Sequence, residues 1–124
     1  MTPTSALVVD GANVVGSRPD GWWKDRAGAA RRLHEQLMLA APGYDEVVLV
    51  LEGAAKGGVR AGRDSHVVTV HAKGSGDDAI VAQTASAVER GLRVAVVSAD
   101  RALQARVAHL GALTLSPGWL LDQL

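Results

Sequence analysis

The chain has 124 residues, 48% of them apolar, with no cysteine and a formal net charge of zero. That length and composition suit one globular domain, residues 1–124, and exclude a disordered polymer. The missing cysteines exclude disulfides and thiolate metal sites, and neutrality excludes a generic basic coat for nucleic acid, though not an enzyme with a local basic rim around an acidic centre.

No apolar run approaches the roughly 20 residues needed to span a bilayer. Met1-Thr2-Pro3-Thr4-Ser5 has neither the charged flank nor the apolar segment of a secretory signal. The expectation is a soluble cytoplasmic protein without a membrane partner. With no Phe and one Tyr, the core must be built of Val, Leu and Ala around Trp22, Trp23 and Trp119.

In chain order, residues 5–9 read as a buried strand, and Arg18-Pro19-Asp20-Gly21 as a turn. From Trp23, the positions Ala27, Ala30, Leu33, Leu37 and Ala40 recur at helical spacing, and Pro42-Gly43 ends that helix. Residues 46–52 are a second strand. Residues 53–65 contain four glycines with Lys56, Arg60 and Arg63, which predicts an exposed, mobile loop. Residues 66–71 form a third strand. Ile80, Val81, Thr84, Ala85 and Val88 mark a helix over 77–90 that stops at Gly91. A fourth strand covers 93–98. A helix carrying Leu103, Val107 and Leu110 then ends at Gly111. Residues 112–115 are a short fifth strand, and Pro117 opens a last helical turn. Alternating strands and helices predict an α/β fold: three layers, Rossmann-like, with a mainly parallel sheet of about five strands and helices on both faces.

Ligands of such sheets sit beyond the strand C-termini. Three acidic signals fall there: Asp10 after the first strand, Asp77-Asp78 after the third, and Asp100 after the fourth. Carboxylates that converge repel one another unless they hold a hard cation such as Mg²⁺ or Mn²⁺. Asp10 follows a rigid strand and is expected to face solvent, although an Asp before glycine also caps turns. Asn13 could bond the Asp10 carboxylate or a phosphate. Asp77 and Asp78 point about 100° apart on a helix, which makes Asp77 the better ligand and Asp78 a supporting group. Ser98 would support a ligand or water, and Arg101 would lie near a phosphate. The competing reading of Ser75, Asp77, Ser98 and Asp100 is helix capping. Glu52 is either a further carboxylate of the cluster or the first polar residue of a loop.

Basic residues in loops after strands would rim the acidic edge and hold a polyphosphate backbone. Arg18, Lys56, Arg60, Arg63, Lys73 and Arg101 are the substrate-binding candidates, with Lys24 and Arg26 in similar loops. His34, His66, His71 and His109 lack zinc spacing and read as structural. Trp22-Trp23 could stack on a base, but more often such a pair anchors a helix start with one ring buried.

Three motifs together resemble the PIN-like nuclease superfamily and its NYN (YacP-like) branch. They are Val8-Val9-Asp10-Gly11-Ala12-Asn13, Gly74-Ser75-Gly76-Asp77-Asp78-Ala79-Ile80 and Val97-Ser98-Ala99-Asp100-Arg101. The resemblance covers nearly the whole chain. It implies a PIN-like fold and a metal-dependent endoribonuclease. Asp10, Asp77 and Asp100 would form the metal site, with Asn13, Asp78 and Ser98 around it and Mg²⁺ or Mn²⁺ as cofactor. The expected partner is RNA, with a ribosome or RNA-processing complex and a second copy of the chain as further candidates. Two rivals stand beside this reading: a non-catalytic RNA-binding or protein-interaction PIN-like module, and a phosphohydrolase for small phosphates. RNA binding that survives chelation would favour the first, and a cramped closed pocket the second.

Overall fold

The computed structural model describes residues 2–40 and 42–124. Met1, part of the N-terminal segment considered above, lies outside them. Six strands form one sheet: β1 (Ser5–Asp10), β2 (Glu46–Leu51), β3 (Gly62–Asp64), β4 (Val67–His71), β5 (Arg93–Val97) and β6 (Leu113–Leu115). Their order is β3-β4-β2-β1-β5-β6. β4, β2, β1, β5 and β6 run parallel, and β3 alone is antiparallel. Every residue of β1 and β2 is buried. That explains why these strands read as continuous apolar runs rather than alternating ones.

The helices divide between the two faces. α1 (Gly11–Gly16), α2 (Arg26–Leu39) and α5 (Pro117–Leu121) cover one face, over a core of Leu7, Val9, Leu33, Leu37, Leu49 and Leu120. α3 (Gly76–Glu89) and α4 (Arg101–His109) cover the other, over Val8, Val50, Ile80, Val96, Leu103 and Val107. Consecutive β-strand residues therefore supply opposite cores, as the two-residue period requires. The result is the expected three-layer α/β fold. Among the described residues no helix is long and apolar enough to cross a membrane.

Three local expectations need correction. The segment 53–65 is not a loop: Gly53–Gly58 forms a 3₁₀ turn and Gly62–Asp64 forms β3. The turn lies so close to α2 that a Cβ at Gly58 would collide with the Ala27 carbonyl. Gly58 therefore serves close packing, and His71 Nε2 meets the Val59 carbonyl at 2.7 Å at the end of the turn. The six-residue helix α1 starts directly after β1. The helix expected from Trp23 begins later, because Asp25 caps α2 by accepting from the Gly28 N–H at 2.8 Å. Trp22–Lys24 is a separate 3₁₀ turn.

Gly11 permits the abrupt passage from β1 into α1. A Cβ there would stand 2.6 Å from the Val50 carbonyl oxygen and 2.8 Å from Leu51 Cδ2. Both belong to the neighbouring central strand, which cannot give way. Gly11→Ala should destabilise the fold by about 1–3 kcal/mol through overpacking, read from the urea midpoint. An unchanged midpoint would show that the strand ends yield more easily than their burial indicates.

Candidate functional site

The strand order reverses beside β1: β2 and β4 extend to one side, β5 and β6 to the other. A crevice at such a reversal is where ligands of open α/β sheets bind. Asp10 ends β1 on one side of it, and Ser98 follows β5 on the other. Ser98 Oγ donates to Asp10 Oδ2 at 2.9 Å across the gap. The Asn13 N–H reaches Asp10 Oδ1 at 3.3 Å, so Asp10 also caps α1. The Asn13 side-chain oxygen accepts from the Ala99 N–H at 2.8 Å. The Ser98 hydroxyl in turn accepts from the Asp100 N–H at 3.1 Å. Asp10, Asn13, Ser98 and Asp100, 90 positions apart in sequence at most, are thus one hydrogen-bonded group.

Asp10 does not face solvent as expected. It is only 7% exposed, and Ser98 is fully buried. The carboxylate is held between the first turn of α1, through the Asn13 N–H, and the Ser98 hydroxyl beyond β5. Burial pushes the Asp10 carboxyl above its ordinary value. The Ser98 and Asn13 hydrogen bonds oppose that rise, while the charges of Asp77 and Glu52 add to it. Asp77 is also raised, first by desolvation and then by Asp100 and Glu52, with Arg106 opposing. The acids that end or follow four strands, β1, β2, β4 and β5, therefore act on one another.

Glu52 belongs to this group. Its Oε2 accepts from the Gly76 N–H at 2.9 Å, which ties the end of β2 to the start of α3 and fixes where Asp77 emerges. A Cβ at Gly76 would lie 2.9 Å from the Glu52 carboxyl carbon, so glycine is what allows this approach. Ser75 caps α3 by accepting from the Asp78 N–H at 3.3 Å, and Asp100 caps α4 by accepting from the Leu103 N–H at 3.0 Å. The capping readings of these residues hold, and for Asp100 capping coexists with membership of the group.

Other expected members lie elsewhere. Asp78 is exposed and pairs with Arg106 of α4 at 3.1 Å. Its position one residue after Asp77 turns it to the neighbouring helix, away from Asp10. Arg63 sits in β3, whose antiparallel course carries it to the opposite end of the sheet, where it meets Glu46 at 3.1 Å. Arg18 bonds the Gln36 side chain at 2.7 Å, well along α2 from the acidic edge. Neither arginine rims the cluster. Lys56 Nζ donates to the Ala72 carbonyl at 3.0 Å, just beyond β4. Arg60 precedes the Gly62–Thr69 pair and so lies past the same strand end. Lys73 and Arg101 are exposed in the two segments that carry the acids. Arg26, one of the basic residues expected at the rim, opens α2 at this edge rather than lying in a loop. Its guanidinium lies over the Trp22 ring, 5.2 Å from the centroid.

The donor set is all carboxylate oxygen, which suits Mg²⁺ or Mn²⁺ rather than softer metals. Among the described residues no three His, Asp or Glu side chains are gathered closely enough to enclose an ion. Direct ligation of one ion would therefore use at most two of these carboxylates, and any other acid of the group would act through bound water.

Removing the Ser98 hydroxyl strips a buried carboxylate of a donor. Ser98→Ala should cost about 1–3 kcal/mol and raise the Asp10 carboxyl further, as followed by NMR titration. An unmoved carboxyl resonance would contradict the bond's role. Asp77 titrates above its unfolded value of 3.8, so the folded state holds that proton more tightly. Its contribution to stability falls as pH rises from 3.8 through the folded pKa, and above that point the ionised group is a net cost. Asp77→Asn should therefore raise the melting temperature at neutral pH, with the gain vanishing in acid. A lowered melting temperature at neutral pH would contradict the repulsion.

No protein-family model matches the sequence, and no curated protein matches it. Solved structures do. The crystal structure of Rae1 (YacP) from Bacillus subtilis is similar at 23% identity and a TM-score of 0.74, over 95% of this chain and 72% of that one. A point mutant of the same protein gives 19% identity and a TM-score of 0.70, over 95% and 73%. At such identities the likeness is one of fold: this chain has the three-layer α/β architecture of YacP, the protein whose branch its motifs resemble.

Proposed function

We propose that the chain is a divalent-metal-dependent ribonuclease that hydrolyses phosphodiester bonds of cytoplasmic RNA at the crevice between β1 and β5. One observation carries this reading. Asp10 is a buried carboxylate at the reversal point of the sheet, and among the described residues no Lys or Arg forms an ion pair with it. A buried carboxylate without a cationic partner is costly even when hydrogen-bonded, and active sites are where such costs are retained. The motif resemblance and the fold shared with YacP support the same reaction class.

Asp10, Asp77 and Asp100 are the proposed metal-holding residues. A bound Mg²⁺ or Mn²⁺ supplies activation of water and neutralisation of charge on the reacting phosphate. The chain's own groups do the rest. Ser98 and Asn13 aim the Asp10 oxygens. Glu52, through the Gly76 N–H, sets the position of Asp77. Lys56, Arg60, Lys73 and Arg101, with Arg26, offer positive charge to the phosphates on either side of the cut.

A second reading has an observation of its own. Asp10 and Asp100 both cap helices, and no three described acids enclose an ion. A PIN-like module that binds RNA without cutting it would keep the same hydrogen bonds. Cleavage of RNA with Mn²⁺ separates the two. The ribonuclease reading expects Asp10→Asn and Asp77→Asn to lose more than the roughly 10–100-fold that removal of a ligand's supporting residue costs, and Ser98→Ala to fall within that range. Equal cleavage by parent and Asp10→Asn would place the chemistry elsewhere, and RNA binding without cleavage, unchanged by chelation, would favour the module.

A further inference from the structure

A cavity of about 430 Å³ lies against the acidic edge. Trp22, Arg26, Val15, Glu52, Gly11 and Gly74 contribute to its walls. Three of these tie it to the cluster already described. Gly11 follows Asp10, Gly74 precedes the Ser75 cap, and Glu52 holds the Gly76 N–H. The cavity and the acids thus share backbone, and an occupant of one lies beside the other.

Its wall joins an aromatic ring to an exposed cation. The Arg26 guanidinium stands 5.2 Å from the Trp22 ring centroid. Trp23 meets the same ring edge-on at 6.0 Å, and Trp22 packs against the core. The ring is therefore held while its remaining surface borders the cavity. Aromatic surface with an arginine beside it is what sequence-tolerant binding of single-stranded nucleic acid uses, because every base has a π-face and every linkage a negative charge. The larger cavity, about 690 Å³, lies at the opposite sheet edge and is lined by Glu46, Arg63 and Arg90. Its arginines are already paired with Glu46, no Trp or Tyr lines it, and the ring of His66 is engaged with the Leu37 carbonyl.

We propose that the Trp22–Arg26 cavity receives one unpaired base of an RNA strand, adjacent to the phosphate at the acidic edge. The proposal rests on the ribonuclease reading of that edge. A base inside a duplex is stacked on both sides and cannot enter a recess, whereas a base in a loop or free strand can turn out and do so. The acids alone would repel the strand. Arg26 and the flat ring supply the attraction that brings the backbone against them.

The test keeps the two readings separate. The ¹⁵N-labelled protein, without added divalent metal, is titrated with a short single-stranded oligoribonucleotide, the same strand with one abasic position, a hairpin duplex of the same sequence, and a nucleoside monophosphate. The intact strand should shift the Trp22 indole N–H. Binding should weaken about tenfold for the abasic strand and for Trp22→Ala, with a comparable loss for the duplex and for Arg26→Ala. The abasic strand leaves the protein untouched, so the result does not depend on how well Trp22→Ala folds. A stationary Trp22 signal, equal affinity for abasic or duplex RNA, or a monophosphate that binds as tightly as the strand would each overturn the proposal. Cleavage of the same strands with Mn²⁺ is read in parallel. Cleavage indifferent to the abasic position sinks the cavity assignment and spares the ribonuclease reading. A Trp22 shift lost on abasic RNA, with no cleavage, supports the cavity and sinks the nuclease.

Discussion

A carboxylate buried at the end of a strand must be met by donors or give up its charge. Asp10 meets that demand with the Ser98 hydroxyl and the Asn13 N–H, and much of the candidate site follows from this. To reach Asp10, Ser98 must stand at the tip of β5, so the β1–β5 register is joined to the site. Asn13 must lie in the first turn of α1, which requires the immediate chain reversal that Gly11 permits. Gln104 of α4 donates to the Ser98 carbonyl at 2.7 Å, which brings α4, and with it Asp100, against the same point. One buried charge thus organises two strand ends and two helix starts.

The sheet has a buried carboxylate near each end, and they are treated differently. Glu46 opens β2 and is held between Arg63 and Arg90, a neutralised arrangement that ties β3 and the end of α3 to the sheet. Asp10 has hydrogen bonds but no cationic partner among the described residues, and Asp77 and Glu52 press on it further. A paired acid with its cations in place is structural in character. An acid without a cationic partner among other acids is where the proposed metal would be needed. The zero net charge of the chain conceals this asymmetry.

The central fold was legible because its signals are strong and local. Runs such as Val47-Val48-Leu49-Val50-Leu51 have few alternatives to a buried strand, and Gly91 and Gly111 punctuate the helices that follow. The placement of Asp10, Ser98 and Asp100 came from the same pattern, since parallel strands send their C-termini to one edge. What was not legible depends on distance or brevity. α1 is six residues with glycine at both ends, too short to display a helical period. β3 is Gly-Arg-Asp and wholly exposed, so it has no apolar alternation. Arg18 and Arg63 looked like rim residues because their loops follow strands. Their actual partners, Gln36 and Glu46, lie 18 and 17 positions away in sequence, and only the folded sheet shows on which side they emerge. The burial of Asp10 has a related cause: it depends on the first turn of α1 and on Ser98, 88 positions away in sequence, meeting the carboxylate.

The account turns on acids from β1, α3 and α4 sharing one cation, and paramagnetic broadening by Mn²⁺ addresses that most directly. At low ion-to-protein ratios, the amide signals of Gly11, Asn13, Asp77 and Asp100 should fade together, while those of Ser65 and Arg90 at the far end of the sheet stay sharp. Broadening of only one of these segments, or broadening spread evenly over the surface acids, would mean that the strand-end carboxylates do not form a common metal site.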